Sequence, residues 1–419
     1  MLDSPEFPIA RVRASYPALS DGYAYLDGAA GTQAPRSVID AISAAYRAGI
    51  GNVGAAFPAS HRSDAIVAAA RAAVADLVGG HPDGVILGPN MTTLTYRLSR
   101  ALVGPGDEVV LSRLDHDANV RPWTQTGATV RWADVDPVTG ELPVEQYAEL
   151  INERTRLVAV TAASNILGTR PDVAAITELA HRAGALTYVD GVHSTAHGPV
   201  DMRELGADFY ATSAYKWSGP HIGAVVADPA LLEAIRTDKL ASSLDTVPER
   251  FETGTASFAD LAGVTAAVDH LAAMVPDPGT DGPVPDPGTD GPVPDPGTDG
   301  PGTRRERLLA SMAAAERHEL ELFGVLLAGL ETMPHVTLYG KPARRTATVY
   351  FNVAGRAPRE VADHLALLKV NVWNGHNYAW ELTAALGIRD SGSAVRAGLV
   401  HYNDRSDVDR LLDGVARLG

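Results

Sequence analysis

The stretch Tyr210-Ala-Thr-Ser-Ala-Tyr-Lys216-Trp-Ser-Gly-Pro-His-Ile-Gly223 decides how this chain is interpreted. Polar and aromatic residues surround Lys216, and Gly219-Pro220 follows it, which predicts a tight loop rather than a solvated helix face. Earlier in the chain, the apolar run from Ala185 ends in Asp190. Such a run is typical of a buried parallel strand, whose last residue emerges at the carboxyl edge of the sheet, where ligands bind in open α/β folds.

A loop lysine and a strand-end aspartate together match the needs of pyridoxal 5'-phosphate (PLP). This cofactor requires an amine for a Schiff base, a carboxylate facing its pyridine nitrogen and donors for its phosphate. Each residue alone has an ordinary explanation, because most lysines are surface charges and most strand-end aspartates cap a turn or a helix. Further motifs along the chain are therefore needed to support the pair.

A phosphate site is predicted at Gly88-Pro-Asn90-Met-Thr92-Thr93, which follows a strand and opens a helix continuing through Leu102. Free amides at the start of a helix attract a dianion. Asn90 can cap this helix, and taken alone the motif is only an ordinary helix cap. The candidate phosphate donors are Thr92, Thr93, Ser213 and Tyr215.

Composition describes an enzyme-sized globular chain. Its 419 residues are 45% hydrophobic and 21% charged, which suffices for two domains with substantial cores. The net charge of -16, with no basic cluster, predicts that neither nucleic acid nor an anionic membrane is a partner. The sequence has no apolar run of about 18 residues and no basic signal-peptide start, so a cytoplasmic location is expected. The lack of cysteine excludes disulfides, thiolate metal sites and a cysteine nucleophile, and no metal is expected.

Strand-like apolar runs alternate with alanine-rich helical stretches, which predicts an α/β fold with a mostly parallel, helix-covered sheet. After them, Pro-Asp-Pro-Gly-Thr-Asp-Gly-Pro-Val is repeated from Pro276. A segment so rich in proline and glycine cannot form a core, so residues 276–303 are expected to be a flexible insert. The predicted strands are Val85–Leu87, Glu108–Leu111, Thr129–Trp132, Leu157–Ala162, Leu186–Val189 and Ile222–Val226.

The remainder of the chain predicts a smaller α+β unit. Arg304 to Leu330 has the composition of one long helix, followed by short strands near Val336–Leu338 and Thr346–Asn352 and by a closing helix from Ser406. The expected divisions are an N-terminal arm over 1–20, a large PLP-binding domain over 21–275, the insert over 276–303 and a small C-terminal domain over 304–419.

Six ordered motifs resemble those of the class V aminotransferase and cysteine desulfurase group of fold-type I PLP enzymes. The resemblance covers nearly the whole chain except the proline-rich insert. It implies PLP as the cofactor and a large domain with a seven-stranded sheet beside a small α+β domain. The motifs are Tyr25–Gly31, Asp115–Trp123, Ser164–Thr169, the Asp190 and Lys216 segments, Phe251–Thr255 and Val395–Asn403.

The resemblance gives each matched residue around the cofactor ring a role. Lys216 would bind the cofactor covalently, and Asp190 would keep its pyridine nitrogen protonated. His116 would stack on the open face of the ring, with Asn165 and His193 near its phenolic oxygen. A glutamine is commoner at the His193 position, so a group that titrates near neutral pH replaces a neutral one. For both histidines, a hydrogen-bonded loop residue is the structural alternative.

Two further roles concern the phosphate and the substrate. The resemblance implies that Thr255 reaches the phosphate of the neighbouring subunit, so a homodimer with a shared active site is expected. Arg396 would clamp the carboxylate of an amino-acid substrate, because a guanidinium offers two parallel donors. The clamp orients the alpha carbon and so selects the bond that breaks. A surface salt bridge is the alternative for Arg396.

The missing cysteine narrows the reaction. Cysteine desulfurases of this group carry a loop cysteine that takes sulfur as a persulfide, whereas the comparable stretch here is Val372-Trp-Asn-Gly-His-Asn-Tyr378. Persulfide-forming desulfuration is therefore excluded for this chain acting alone. Trp373, His376, Asn377 and Tyr378 are interpreted as shaping a pocket for a larger substrate, and a purely structural aromatic loop is the alternative.

The leading prediction is a carbon-sulfur lyase acting on an S-substituted cysteine, in secondary metabolism such as antibiotic biosynthesis. Lys216 would remove the alpha proton while the cofactor ring stores the charge, and a thiolate would leave from the beta carbon. Decarboxylation-coupled deamination of a similar conjugate, epimerisation and transamination stay open. An alternative of another class is a noncatalytic scaffold that contacts a partner through its acidic surface or its insert.

Overall fold

The computed structural model describes residues 7–276 and 302–419. Most of the predicted flexible insert falls on residues 277–301 and so lies outside the described residues. The described ranges contain thirteen strands. The strands are β1 (Ala24–Tyr25), β2 (Val85–Gly88), β3 (Glu108–Ser112), β4 (Thr129–Ala133), β5 (Thr155–Thr161), β6 (Leu186–Asp190), β7 (Phe209–Ser213), β8 (Gly223–Ala227), β9 (Val336–Tyr339), β10 (Thr348–Val353), β11 (Val370–Asn371), β12 (Trp373–Gly375) and β13 (Ala394–Gly398).

Thirteen α-helices occupy the same ranges, none of them long and apolar enough to cross a membrane. Capping side chains set their starts: Asn90 accepts the Thr93 amide before one helix, and Thr303 and Glu306 form a capping box before the longest. The helices are α1 (Ile9–Ala14), α2 (Arg36–Ala48), α3 (Pro58–Val78), α4 (Met91–Leu102), α5 (Arg121–Thr124), α6 (Glu145–Leu150), α7 (Val173–Arg182), α8 (Pro229–Ala234), α9 (Phe258–Ala272), α10 (Arg304–Glu331), α11 (Pro358–Leu367), α12 (Trp380–Ala385) and α13 (Arg405–Ala416).

The central sheet has seven strands in the order β2-β8-β7-β6-β5-β3-β4. Strand β8 runs antiparallel to both of its neighbours, and the other neighbouring pairs are parallel. Along β5, Val158 and Val160 pack into one core cluster, while Leu157 and Ala159 pack into another on the opposite face. Both faces of the sheet are buried, which explains why its strands are continuous apolar runs. The predicted α/β fold with a mostly parallel sheet is confirmed.

The six strands predicted for this sheet are present, and β7 is an additional one inside the stretch interpreted as the lysine loop. Its residues are all buried although several are polar. Thr212 explains this, because its hydroxyl accepts from the Trp217 indole at 2.9 Å and donates to the Thr195 hydroxyl at 3.2 Å. Because these buried polar residues are hydrogen-bonded, the strand lacks the apolar run by which the other strands were predicted.

The C-terminal part forms a second, antiparallel sheet in the order β12-β13-β10-β9. Helices α10, α11 and α13 cover it through a separate apolar core. The long helix expected from Arg304 is α10, and the closing helix begins at Arg405, one residue before the predicted start. Strands β12 and β13 were not predicted. The domain boundaries at 275 and 304 stay a prediction.

The N-terminal part of the chain forms a small two-stranded sheet with the C-terminal part and contacts the second sheet. Strand β1 pairs in parallel with β11, and an isolated bridge links Asp27 to Gly398. The following turn then approaches the lysine, since the Thr32 amide donates to the Tyr215 carbonyl at 2.8 Å. The segment after β1 therefore lies between the two sheets, beside the candidate site.

Candidate active site

Neighbouring strands bring the central lysine and aspartate together. Strand β6 ends at Asp190, β7 ends at Ser213, and a single 3-10 turn then places Lys216 beside them. Because β6 and β7 are parallel neighbours, their carboxyl ends meet at one edge of the sheet. Both Lys216 and Asp190 are buried there. Lys216 donates a hydrogen bond from Nζ to the Ala29 carbonyl.

Burial shifts the pKa of both groups toward their neutral forms. Desolvation, together with the charge of Arg396, lowers the pKa of Lys216 to about 7, against the opposing charge of Asp190. Desolvation raises the pKa of Asp190 to about 6, although the Val192 amide and Lys216 favour the carboxylate. A lysine that is half neutral near pH 7 can act as a nucleophile and as a base.

A cavity of about 720 Å³ opens above Lys216. A narrower pocket of about 50 Å³ adjoins it and reaches Asp190, His193 and Ser213. The cavity combines candidate residues from both parts of the chain. Its lining residues include Ala29, Ala30, Thr92, Tyr96, His116, Asp117, Arg121, Asn165, Tyr215, Lys216, Trp373, Asn374, Gly375, His376, Asn377, Tyr378 and Arg396.

The predicted phosphate end is only partly assembled as expected. Asn90 caps α4 through Oδ1, which accepts the Thr93 amide at 2.8 Å and the Thr93 hydroxyl at 3.0 Å. Both hydrogen-bond donors of Thr93, its amide and its hydroxyl, therefore serve the cap. Thr93 also lies outside the lining of the narrow pocket and the cavity. Thr92, Ser213 and Tyr215 do line the narrow pocket. The geometry thus brings three of the four candidate donors to Lys216.

The two candidate histidines are held as neutral rings. His116 accepts the Ala118 amide through Nδ1 at 3.1 Å, and burial and nearby cations lower its pKa to about 3. His193 bonds through Nε2 to the hydroxyls of Thr346 at 3.0 Å and Thr348 at 3.2 Å. Burial, together with the charges of neighbouring basic residues, lowers the pKa of His193 well below its usual value. Both rings line the narrow pocket beside Lys216.

Arg396 is a buried cation on β13. Its guanidinium donates to the Asn165 carbonyl at 3.1 Å, and burial lowers its pKa only to about 10. Within residues 7–276 and 302–419 it forms no salt bridge, so the surface ion pair considered above is not what the structure contains. A buried guanidinium with free donors suits a carboxylate ligand.

Three residues that line the cavity or the narrow pocket carry polar atoms without a hydrogen-bond partner in the described part of the chain. The atoms are Nδ1 of His193, Oδ1 of Asn165 and Nε of Arg396, and all three are buried. Buried polar groups are normally hydrogen-bonded, so these atoms indicate a polar ligand. Together with the Lys216 amine and the Asp190 carboxylate, they fit PLP and a bound amino acid.

The same arrangement of residues matches known proteins. The family described as aminotransferase class-V matches residues 24–276 and 307–411. The chain belongs to the class V aminotransferase family. An uncharacterised protein of Mycobacterium tuberculosis (strain CDC 1551 / Oshkosh) is 38% identical over 99% of this chain and 100% of that protein. A cysteine desulfurase of Yersinia pestis bv. Antiqua (strain Angola) is 32% identical over 98% of each.

Solved structures agree with this class V assignment. The crystal structure of the cysteine desulfurase CsdA from Escherichia coli matches with a TM-score of 0.82 and 28% identity over 99% of both chains. The chain is therefore a PLP-dependent class V enzyme of fold type I, similar to cysteine desulfurases. The resemblance and the cofactor predicted from the sequence are confirmed.

Some lining residues of this class V site could not be found from the sequence. Tyr96 follows Thr92 by one turn of α4, so helical spacing was an available signal. Ala29 lies within the Tyr25–Gly31 motif, but nothing in the sequence assigns it a role, because only tertiary structure brings its carbonyl to Lys216. Thr255 is exposed and lies outside the lining of the cavity, and its reach to a neighbouring subunit stays a prediction.

Proposed function

We propose that this class V enzyme is a carbon-sulfur lyase that eliminates a thiol from an S-substituted cysteine. One observation carries the proposal: a buried lysine with a pKa near 7 faces a large cavity in a chain that contains no cysteine. With no thiol to accept sulfur, the sulfur leaves with its substituent.

The cavity residues have separate roles in binding the cofactor and the substrate. When bound, PLP supplies an electron sink for the charge left at the alpha carbon of the substrate. Arg396 binds the alpha carboxylate through its guanidinium donors, and its bond to the Asn165 carbonyl fixes the plane of those donors. With PLP bound, Asp190 would hold a proton at the ring nitrogen. Neutral His116 would lie beside the ring without adding a cation that competes for the substrate carboxylate.

Lys216 moves the protons of the elimination. Its neutral Nζ takes the alpha proton as general base. The carbon-sulfur bond then breaks with its electron pair on sulfur, and the protonated Nζ is the nearest acid for the departing thiolate. The three-carbon fragment hydrolyses to pyruvate and ammonia. One lysine therefore suffices as base and acid.

Product analysis tests the lyase proposal. The PLP-loaded enzyme is incubated with a panel of S-substituted cysteines, and pyruvate, ammonia and thiol are quantified by mass spectrometry, with Lys216→Ala as the control. Equal amounts of pyruvate and thiol are expected. Carbon dioxide with an aldehyde would instead indicate decarboxylation-coupled deamination, and solvent deuterium at the alpha carbon without elimination would indicate epimerisation. An amino-group acceptor requirement would indicate transamination.

A homodimer completes the proposal. Thr255 is exposed in the single chain, as are the large apolar side chains of Leu240 and Leu244 in the preceding segment. Exposed apolar side chains of this size support an interface. Thr255 of the partner subunit would then contribute to the phosphate site. The protein is expected in the cytoplasmic fraction, and sedimentation velocity of the purified enzyme should give a dimer. A monomer with full activity would contradict the shared active site.

A further inference from the structure

The outer side of the cavity is lined by residues 373–378. Together with the next three residues they form the segment 373–381, Trp-Asn-Gly-His-Asn-Tyr-Ala-Trp-Glu, here named the aromatic wall. Three of its large side chains are substantially exposed: Trp373 at 52%, Tyr378 at 66% and Trp380 at 40%. Trp373 and Tyr378 line the lysine cavity, and Trp380 packs edge-on against His376. Exposed aromatic side chains gathered around a cavity mark a binding surface.

Contacts with the large-sheet side fix the aromatic wall in place. Asn165 donates from Nδ2 to the Asn377 carbonyl at 2.8 Å, and the Asp117 amide donates to the Tyr378 carbonyl at 2.7 Å. Asn377 and Tyr378 both have left-handed backbone angles, with φ of 47° and 58°. Consecutive non-glycine residues in this region are strained and persist where surrounding contacts hold them. Such strain marks a turn whose shape has a function.

The register of the second sheet places the aromatic wall beside Arg396, the candidate carboxylate clamp. Trp373 stands directly opposite Arg396 in the pair of β12 and β13, so both side chains lie on the same face. The Tyr378 ring lies near the His116 ring, with centroids 5.4 Å apart. A substrate held at Arg396, with its alpha carbon at Lys216, has the space beside Trp373 and Tyr378 for its sulfur substituent.

The charges at the rim of the cavity are already paired. Arg121 forms ion pairs with Asp117 at 2.8 Å and with Glu381 at 2.5 Å. Arg113 pairs with Asp134 at 2.6 Å and with Glu381 at 3.4 Å. Each of these side chains is engaged in an ion pair, and the two arginines and three carboxylates together leave a net charge of -1. These residues therefore offer no unpaired cation to an anionic substituent, and the aromatic rings beside them favour a group with a large planar surface, which gains contact area from them.

We propose that the aromatic wall selects cysteine conjugates whose sulfur carries a planar aromatic or heteroaromatic group, which stacks against Tyr378 and Trp373. This inference rests on the proposed lyase function and names its substrate class. The cavity of about 720 Å³ receives the cofactor as well as the substrate, and its part beside Trp373 and Tyr378 is the space left for the sulfur substituent.

Steady-state kinetics with two probes test the specificity. The PLP-loaded enzyme is compared on S-benzyl-L-cysteine and S-methyl-L-cysteine, as wild type and as Trp373→Ala and Tyr378→Ala. Wild type should favour the benzyl conjugate in kcat/KM by about 10–100-fold. Each variant should lose about tenfold on the benzyl conjugate and less than about twofold on the methyl conjugate. Leu367→Ala, which alters an 85% exposed apolar residue on α11, is the control and should change neither value.

A binding measurement separates this inference from the lyase proposal. Isothermal titration calorimetry with PLP-loaded Lys216→Ala measures the Kd of S-benzyl-L-cysteine with and without Tyr378→Ala. The added substitution should weaken binding about tenfold. If both conjugates release pyruvate with equal kcat/KM and the wall variants affect both alike, the aromatic wall is not selective while the lyase proposal stands. If neither conjugate reacts, the lyase proposal fails, and an unchanged Kd in the Tyr378→Ala background would also overturn the role of the wall.

Discussion

The candidate site has two sides that are built in different ways. The floor, defined as Thr92, Asp190, Ser213 and Lys216, lies where strands of the central sheet end and α4 begins. The aromatic wall belongs to the other sheet and depends on left-handed residues and on contacts with residues distant in sequence. In the proposed function, the floor carries the groups that hold the cofactor and move protons, whereas the wall faces the part of the substrate that does not react. Reaction type and substrate choice can therefore change independently.

The largest effect is expected at the floor. Lys216→Ala removes the cofactor amine and the general base together, so kcat for pyruvate release should fall by about 10⁴-fold. Steady-state pyruvate release with added PLP measures it. A variant that keeps a tenth of the activity would show that the general base is not Lys216. It would then be wrong to assign proton transfer to the floor.

Asp190→Asn tests the electrostatic part of the floor. The substitution keeps the shape and removes the negative charge opposite the ring nitrogen, so kcat should fall by about 10²–10³-fold with a small change in KM. Leu367→Ala, which alters an exposed residue of α11 away from the floor, is the control and should leave kcat unchanged. An increase in KM with no change in kcat would mean that Asp190 only helps binding.

Arg396→Gln changes a residue that lies between the floor and the wall. Loss of a bidentate charged hydrogen bond of about 1.5–3 kcal/mol should raise KM roughly 10–100-fold, equally for S-methyl and S-benzyl conjugates. Arg396→Lys should recover only part of the loss, because an ammonium lacks the planar fork. A loss that depends on the sulfur substituent would assign Arg396 to the wall instead.

Uptake of PLP by the apoenzyme should depend on pH through Lys216. Only the neutral amine attacks the aldehyde, and the pKa of Lys216 is lowered to about 7 by burial and by Arg396. The rate should therefore rise about tenfold per pH unit below 7 and level off above it. In Arg396→Gln the midpoint should move upward, because a cation that disfavours the ammonium is gone. Stopped-flow absorbance measures the rate, and a rise continuing to pH 10 would contradict the lowered pKa.

The smallest effect concerns the stability of the wall. Asn377 has φ of 47°, which glycine adopts readily and a β-branched residue does not. Asn377→Gly should change stability by less than about 1 kcal/mol, while Asn377→Val should destabilise by about 1–3 kcal/mol. Differential scanning calorimetry of the two variants gives the comparison. Equal Tm values would mean that the wall turn is not held in the left-handed form.

The difference between the two sides also explains what could be predicted from the sequence. Asp190 at a strand end and Asn90 before a helix follow local rules, so their places were predicted. Thr93 was assigned to the phosphate, but its donors serve the Asn90 cap, because the two functions compete for the same groups. The hydroxyls that bond to His193 belong to Thr348, the first residue of β10, and to Thr346 just before that strand, so they lie far along the chain and no local pattern predicts the contact.

The chain order of the two sheets bears on how the enzyme is made. A polypeptide emerging from the ribosome can complete the central sheet once residue 227 is free, since domains generally fold as units from the N-terminus. Strand β1, however, waits for β11, and Arg396 and the aromatic wall arrive only with the final part of the sequence. A nascent chain therefore exposes its lysine before the carboxylate clamp exists. Substrate chemistry therefore waits for the segment that carries Arg396 and the aromatic wall.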